Sequence, residues 1–205
     1  MLIPDSLIKS HILNFTGIIQ VGGHIGQEIS IFTESFNCTD ILIFEPIPSC
    51  FNQIPTSDKI IKVNCALGNK VGIVEFNIAS NEQSSSILKP KTHLVEHPWV
   101  HFCGQISVPM LTLDIWMEQN KPSNVSYNFM SIDVQGYELE VLKGSRKTLE
   151  SIDGILCEVN KNELYEGCSL VHEVDEYLSN YGFTRTHTQW FENCGWGDAL
   201  YVKHT

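Results

Sequence analysis

Short apolar runs along the chain alternate with longer stretches whose apolar positions recur at helical spacing, the pattern of a parallel sheet covered by helices. Ile18-Ile19-Gln20-Val21 reads as a buried strand ending in the turn Gly22-Gly23-His24-Ile25-Gly26. Helical periodicity follows over about 25–36, carried by Ile25, Ile29, Ile31, Phe32 and Phe36. Ile41–Phe44 forms a second strand stopped by Glu45-Pro46, and a short helix over 48–54 leads to a third strand, Ile60–Val63.

The alternation breaks over 68–111. Gly72–Ala79 has strand character, Ser84-Ser85-Ser86 is polar, and Ile106–Leu111 is a further short apolar run. The segment reads as a hairpin with a lid-like insertion, and long loops of this kind in compact domains usually serve function. Alternation resumes at the helix start Thr112-Leu113-Asp114. A strand over Phe129–Ile132 ends at Asp133, and a helix over 138–149 follows. The strand Gly154–Cys157 ends at Glu158, a helix spans 170–181 up to Gly182, and strands begin at Phe183 and Asp198. The short gap between those last two predicts a hairpin and an antiparallel final strand. One domain over 1–205 is expected, with no internal repeat or linker.

Composition narrows the partners. Lys and Arg total 13 against 24 Asp and Glu, a net charge of −11 over 205 residues. Such a balance repels phosphate backbones and anionic membrane surfaces, and no basic stripe offsets it. A hydrophobic content of 42% excludes disorder. No run of eighteen apolar residues predicts a membrane span, and Met1–Asp5 lacks the features of a secretory leader. The seven cysteines stand singly, without zinc spacing, so a reducing, cytoplasmic setting is expected.

Candidate chemistry gathers where strands end. The glycines of Gly22-Gly23-His24-Ile25-Gly26 permit a tight turn and close approach to a ligand, before a helix N-terminus whose free N–H groups suit an anion. G-x-G-x-x-G is absent, which disfavours a dinucleotide and ranks a dehydrogenase last; no P-loop follows either. Glu45, at the end of the second strand, suits ribose hydroxyls, because open α/β sheets bind ligands beyond the carboxyl ends of their strands. Glu45, Asp133 and Glu158 form a rim of carboxylates. Glu138 fits equally a helix start, where its charge is favoured.

In order, these residues resemble the FkbM family of S-adenosylmethionine-dependent methyltransferases. The matching motifs are Gln20-Val21-Gly22-Gly23-His24-Ile25-Gly26, Phe44-Glu45-Pro46, Asn64-Cys65-Ala66-Leu67-Gly68, Thr112-Leu113-Asp114, and Ser131-Ile132-Asp133-Val134-Gln135-Gly136-Tyr137-Glu138 with Val141-Leu142-Lys143-Gly144. The resemblance implies a Rossmann-like α/β sheet of seven strands in the order 3-2-1-4-5-7-6, strand seven antiparallel, with helices on both faces. It implies S-adenosyl-L-methionine as cofactor, held by Gln20, Gly22, Gly23, His24, Gly26, Glu45, Pro46, Cys65, Ala66, Ser85 and Asp133. Gln20 departs from the family's acidic residue, His24 from its Asn, and Ser131 from its Lys.

The implied reaction is O-methylation of a sugar or related small-molecule hydroxyl. A base beside the hydroxyl would take its proton; Asp133 is the first candidate, then Glu158, with His24 or His172 behind them. The aromatic segments 97–102 and 190–196 suit an acceptor wall, or equally the edge of a core. No resident metal is expected, although Asp133 and Glu158 could in principle hold magnesium. A catalytically weakened cofactor-binding module, or a domain of a larger glycan-modifying protein, is the alternative.

Overall fold

The computed structural model describes residues 1–204. Its central sheet contains β1 (Ile18–Val21), β2 (Ile41–Phe44), β3 (Ile60–Val63), β7 (Phe129–Ile132), β8 (Gly154–Asn160), β9 (Phe183–Trp190) and β10 (Trp196–Lys203). The second, smaller sheet contains β4 (Ala66–Leu67), β5 (Gly72–Ala79) and β6 (Phe102–Leu111). Six α-helices accompany them: α1 (Asp5–His11), α2 (Pro48–Phe51), α3 (His93–Glu96), α4 (Leu113–Asn120), α5 (Glu138–Lys143) and α6 (Val171–Ser179). The central order is β3-β2-β1-β7-β8-β10-β9. Counting only its own strands along the chain, this is 3-2-1-4-5-7-6, with β10 antiparallel to both neighbours, as the resemblance implies.

Strand alternation explains why the apolar runs are continuous. Ile19, Val21, Leu42, Phe44, Met130 and Ile132 turn to one face, where Leu113, Trp116, Val141, Leu142, Val174 and Leu178 of α4, α5 and α6 bury them. Ile18, Ile41, Ile43, Phe129, Leu156 and Leu200 turn to the other, under Ile8, Ile12, Phe32 and Phe36. A parallel sheet covered on both sides leaves no polar face, hence runs such as Ile41-Leu42-Ile43-Phe44.

Several elements differ from the expectation. The helix over 25–36 contracts to a π-helical turn, Ile31–Ser35. Gly26 takes φ +83° and bends the chain away from helical backbone. The β-branched Ile25, Ile29, Ile31 and Thr33 weaken what remains. The helix over 138–149 stops at Lys143. There Gly144 passes against the Gly68 carbonyl, and the Asp114 carboxylate accepts the N–H groups of Lys147 and Thr148 at 2.9 Å each, redirecting the chain into a 3-10 turn. Residues 5–11 form a helix that the pattern did not reveal. The final hairpin is longer than expected, because β9 continues through Trp190, opposite Gly197.

Within 68–111 the hairpin is present and larger than expected, β6 beginning at Phe102. β6 pairs antiparallel with β5 and parallel with β4, and Phe76, Val108 and Met110 pack on Ile47, Cys50 and Ala66. The loop joining β5 to β6 carries α3 and returns towards the carboxyl ends of the central strands. Among the described residues no helix is long and apolar enough to cross a membrane.

A Cβ at Gly144 would stand 2.0 Å from the Gly68 carbonyl oxygen, whereas one at Gly72 would meet nothing within 4 Å. Gly144→Ala is therefore expected to lower unfolding free energy by about 3 kcal/mol, while Gly72→Ala stays within about 0.5 kcal/mol of the parent. Denaturant unfolding of both variants checks the pair; equal effects would refute the close approach.

Candidate active site

A cavity of about 330 Å³ opens at the carboxyl ends of β1, β2, β7 and β8. One side is an apolar slot made by Phe44, Pro46, Ile47, Cys65, Ala66 and Leu67. The opposite end is acidic, with Glu28, Asp133, Glu158 and Asp198. The loop between β5 and β6 closes over it with Ser84, Ser85, His93, His97 and Trp99.

Glu45 is 4% exposed and anchors the first turn. Its Oε2 accepts the His24 N–H and its Oε1 the Ile47 N–H, both at 2.7 Å. Burial pushes its pKa up to about 7 against the pull of these two bonds. Each oxygen retains acceptor capacity towards the cavity. The glycines of this turn do a different job from the one expected. A Cβ at Gly22, where φ is +84°, would lie 1.8 Å from the Asp133 carbonyl oxygen, and one at Gly23 would lie 2.2 Å from Ile43 Cγ2. They let β1, β2 and β7 close on one another. Gly22 and His24 line the cavity; Gly23 and Gly26 shape the turn without lining it.

Gln20 is buried, and its Nε2 donates to Glu28 Oε2 at 2.9 Å. Its Oε1 is buried without a partner. The residue borders a small hollow at the acidic end, together with Glu28, Asp133, Glu158 and Asp198. The carboxylate that the resemblance places at position 20 thus stands one hydrogen bond away, on Glu28.

After β7, Gln135 adopts a left-handed φ of +56°, costly for a side chain other than Gly or Asn. This conformation turns its amide back: Nε2 donates to Asp133 Oδ1 at 2.8 Å and to Glu158 Oε2 at 2.9 Å. The Tyr165 hydroxyl sits 2.7 Å from Gln135 Oε1, and Ser86 Oγ donates to the Gln135 carbonyl at 2.7 Å. Glu138 is 1% exposed; its Oε1 accepts the N–H groups of Val134 and Gly136, and its Oε2 has no partner. Asp133, Glu138 and Glu158 each present an oxygen within 4.8 Å of the others.

Such crowding is costly in a low-dielectric interior. Asp133 lines the cavity and is exposed there, and desolvation by the protein packed around it lifts it to about 6. Desolvation likewise lifts Glu138 to about 7. Glu158 rises well above the ordinary carboxylate range, through desolvation and then the charges of Asp133, Glu138 and Asp198. Asp198 lies directly across from Glu158 on β10, and its carboxylate accepts the Leu2 N–H.

Of the expected site residues, Gly22, His24, Glu45, Pro46, Cys65, Ala66, Ser85, Asp133 and Glu158 line the one cavity, and Gln20 its adjoining hollow. His172 does not line it. Trp99, His97 and Trp196 do, whereas Trp190 sits apart beneath Lys161 Nζ, 4.1 Å from its ring centroid. Residues that the sequence reading missed are Glu28, Glu82, Gln135 and Asp198. Asp198 carried a signal, a lone charge opening an otherwise apolar final strand.

A sheet of order 3-2-1-4-5-7-6 with its cavity at the strand ends, an acid closing the second strand and no pyrophosphate loop defines a Rossmann-like methyltransferase. The chain belongs to the family of the methyltransferase FkbM domain, whose model matches residues 20–185. It is 30% identical over 161 residues to the 2-O-methyltransferase NoeI of Sinorhizobium fredii, covering 73% of this chain and 65% of that protein. It is 27% identical over 145 residues to the hexuronic acid methyltransferase AglP of Haloferax volcanii, covering 68% and 54% respectively. The chain therefore spans between half and two thirds of these relatives. The crystal structure of methyltransferase FkbM from Methylobacillus flagellatus KT shares the fold, with a TM-score of 0.62 at 14% identity, over 98% of this chain and 48% of that one.

The carboxylate crowding has a measurable consequence. Glu138 titrates near its ordinary 4.5 when unfolded and at about 7 when folded, so the folded chain binds more protons between those values and stability falls as pH rises through that window. Glu138→Gln should remove its share, on the order of 1–3 kcal/mol by pH 8. Melting curves from pH 4.5 to 8 check this: the variant should gain on the parent as pH rises, and a constant gap would count against it.

Proposed function

We propose that this chain transfers a methyl group from S-adenosyl-L-methionine to a hydroxyl of a saccharide. The observation that carries the reading is one cavity with an apolar slot at one end, Glu45 between, and a carboxylate cluster at the other. Membership in the FkbM family and the similarity to AglP, a hexuronic acid methyltransferase, support the same reading.

The residues fit the cofactor. The slot formed by Phe44, Pro46, Ile47, Cys65, Ala66 and Leu67 suits a flat base. The lone pairs of Glu45 suit ribose hydroxyls, and Ser85 also lines the cavity, its Oγ accepting the Ala79 N–H. The orphaned Gln20 Oε1 calls for a buried donor, which an amino-acid ammonium would supply. Glu28, held by Gln20, adds the negative charge that position 20 lacks. This favours an active enzyme over a weakened binding module. When bound, the sulfonium cofactor supplies the activated methyl group.

The chain's own part is to orient the acceptor and take its proton. Positioning two reactants in line removes much of the entropic barrier. Asp133 opens into the cavity and titrates at about 6, so at neutral pH it is mostly ionised and suited to act as base. Desolvation, and then the charges of Asp133, Glu138 and Asp198, displace Glu158 well above the ordinary carboxylate range, and Gln135 Nε2, donating to both carboxylates, holds it in place beside Asp133. The His24 ring faces Gln27 and Glu82, with Nδ1 2.8 Å from the Gln27 amide, which supports a place in the cofactor turn rather than a role as the base.

Glu45→Gln should weaken S-adenosylmethionine affinity by about tenfold, since a hydrogen bond to a charged group is worth about 1.5–3 kcal/mol. Calorimetry measures it; unchanged affinity would remove Glu45 from the cofactor site. Asp133→Asn should reduce turnover by about 10²-fold or more while leaving cofactor affinity nearly intact. Single-turnover methyl transfer separates the two, and a fully active variant would exclude Asp133 as the base.

A further inference from the structure

The saccharide reading leaves the charge of the acceptor open, and the cavity wall speaks to it. Six carboxylates line the cavity: Glu28, Glu45, Glu82, Asp133, Glu158 and Asp198. Among the described residues, no Lys or Arg lines it. Lys91 is engaged with Glu163, and Lys161 lies over the Trp190 ring, both away from the lining.

The lining histidines do not supply the missing cation. Burial pulls His93 down to about 4, so it is neutral at physiological pH. His97 Nε2 accepts the Trp196 indole N–H at 3.2 Å, a role that only an unprotonated nitrogen can fill. His24 Nε2 lies 4.0 Å from Glu82 Oε2, which would neutralise any charge it carried. The α-amino group of Met1 also reaches the lining, but its charge already acts on Asp133 and Asp198, so a carboxylate brought in from water would lose its hydration without gaining a free counter-ion. Where the wall acids are ionised they repel it, and where they are protonated they offer no opposing charge.

The mouth on the far side is aromatic. Trp99 lines it although 71% exposed, an unusual position for a bare indole. Trp196 is fixed there by its bond to His97 and by the Phe191 ring, stacked at 4.8 Å and 12°. Rigid aromatic faces of this kind suit the C–H face of a pyranose while leaving its hydroxyls free to point at the acids.

We propose that the acceptor is an uncharged sugar seated against Trp99 and Trp196, and that the site rejects a hexuronate. The proposal rests on the saccharide reading above and separates this chain from its relative AglP, a hexuronic acid methyltransferase.

The test titrates the chain, saturated with S-adenosylhomocysteine, with methyl hexosides of gluco, galacto and manno configuration and with the matching methyl uronides. Saturation-transfer NMR and tryptophan fluorescence report binding. At least one hexoside should bind at least about tenfold tighter than its uronide, the cost expected of an unpaired like charge. Trp196→Ala should lose hexoside binding while retaining S-adenosylhomocysteine affinity, which also certifies its fold. Trp99→Arg, at an exposed position that tolerates exchange, should narrow the hexoside–uronide gap by adding a cation at the mouth. A uronide that binds as well as its hexoside overturns the proposal and leaves the saccharide reading standing. Hexoside binding unaltered in Trp196→Ala and Trp99→Arg overturns the aromatic seat. If no glycoside binds while S-adenosylhomocysteine does, the saccharide reading itself fails, and the proposal with it.

Discussion

The arrangement of this molecule turns on keeping five acids, Glu45, Asp133, Glu138, Glu158 and Asp198, inside or at the edge of its interior, with no Lys or Arg in the described cavity lining and only the Met1 α-amino charge acting on Asp133 and Asp198. Ionised carboxylates in such surroundings are normally paired with cations. Here backbone N–H groups and one amide do most of that work. His24 and Ile47 serve Glu45; Val134 and Gly136 serve Glu138; Leu2 serves Asp198; and Gln135 spans Asp133 and Glu158. Neutral donors hold the acids in place without cancelling their charge, and the upward displacement of all five follows from that incomplete compensation.

The glycine pattern follows from the same constraint. For Glu45 and Asp133 to reach one cavity, the turns after β1, β2 and β7 must nest closely. Gly22 lets the Asp133 carbonyl approach, and Gly23 admits Ile43. The sequence motif that suggested a ligand cradle is thus in large part a packing device, which brings the acids from different strands within reach of one another. Gln135 extends the logic: its left-handed backbone is retained because Tyr165, Ser86, Asp133 and Glu158 all hold it. Loss of any one of these partners loosens the whole rim.

Much of this was legible beforehand, for identifiable reasons. A sheet buried on both faces writes itself as short uninterrupted apolar runs, so all seven central strands were readable, and the family resemblance implied their arrangement. Strand-end acids were readable because a charge closing an apolar run has few purely structural uses. Glu28 was not, since it stands in an irregular turn where helical periodicity had been expected, and its contact with Gln20 depends on that departure. Gln135 lay within a quoted motif, but its reach back to two carboxylates depends on a positive φ that no pattern of apolar residues encodes. The loop after β5 was recognised as exceptional by its broken alternation, while its contribution of His93, His97 and Trp99 to the cavity is a matter of tertiary return alone.

The two walls of the cavity make different demands on what enters, and the proposed reaction reconciles them. A sulfonium donor with an amino-acid ammonium is cationic, so an acid-rich end with an orphaned Gln20 oxygen favours its retention. A hydroxyl acceptor brings no charge, so it suits an aromatic mouth and needs only one ionised acid near its proton. Were that proton to pass to Asp133, the net charge of the cavity would stay unchanged on methyl transfer, because one carboxylate would be neutralised as the sulfonium is discharged. An anionic acceptor would add a negative charge to an acid-rich wall where the Met1 α-amino charge is already engaged with Asp133 and Asp198. The absence of Lys and Arg from the described lining is then the counterpart of the carboxylate cluster, both reflecting a cavity arranged around one cation and one uncharged partner.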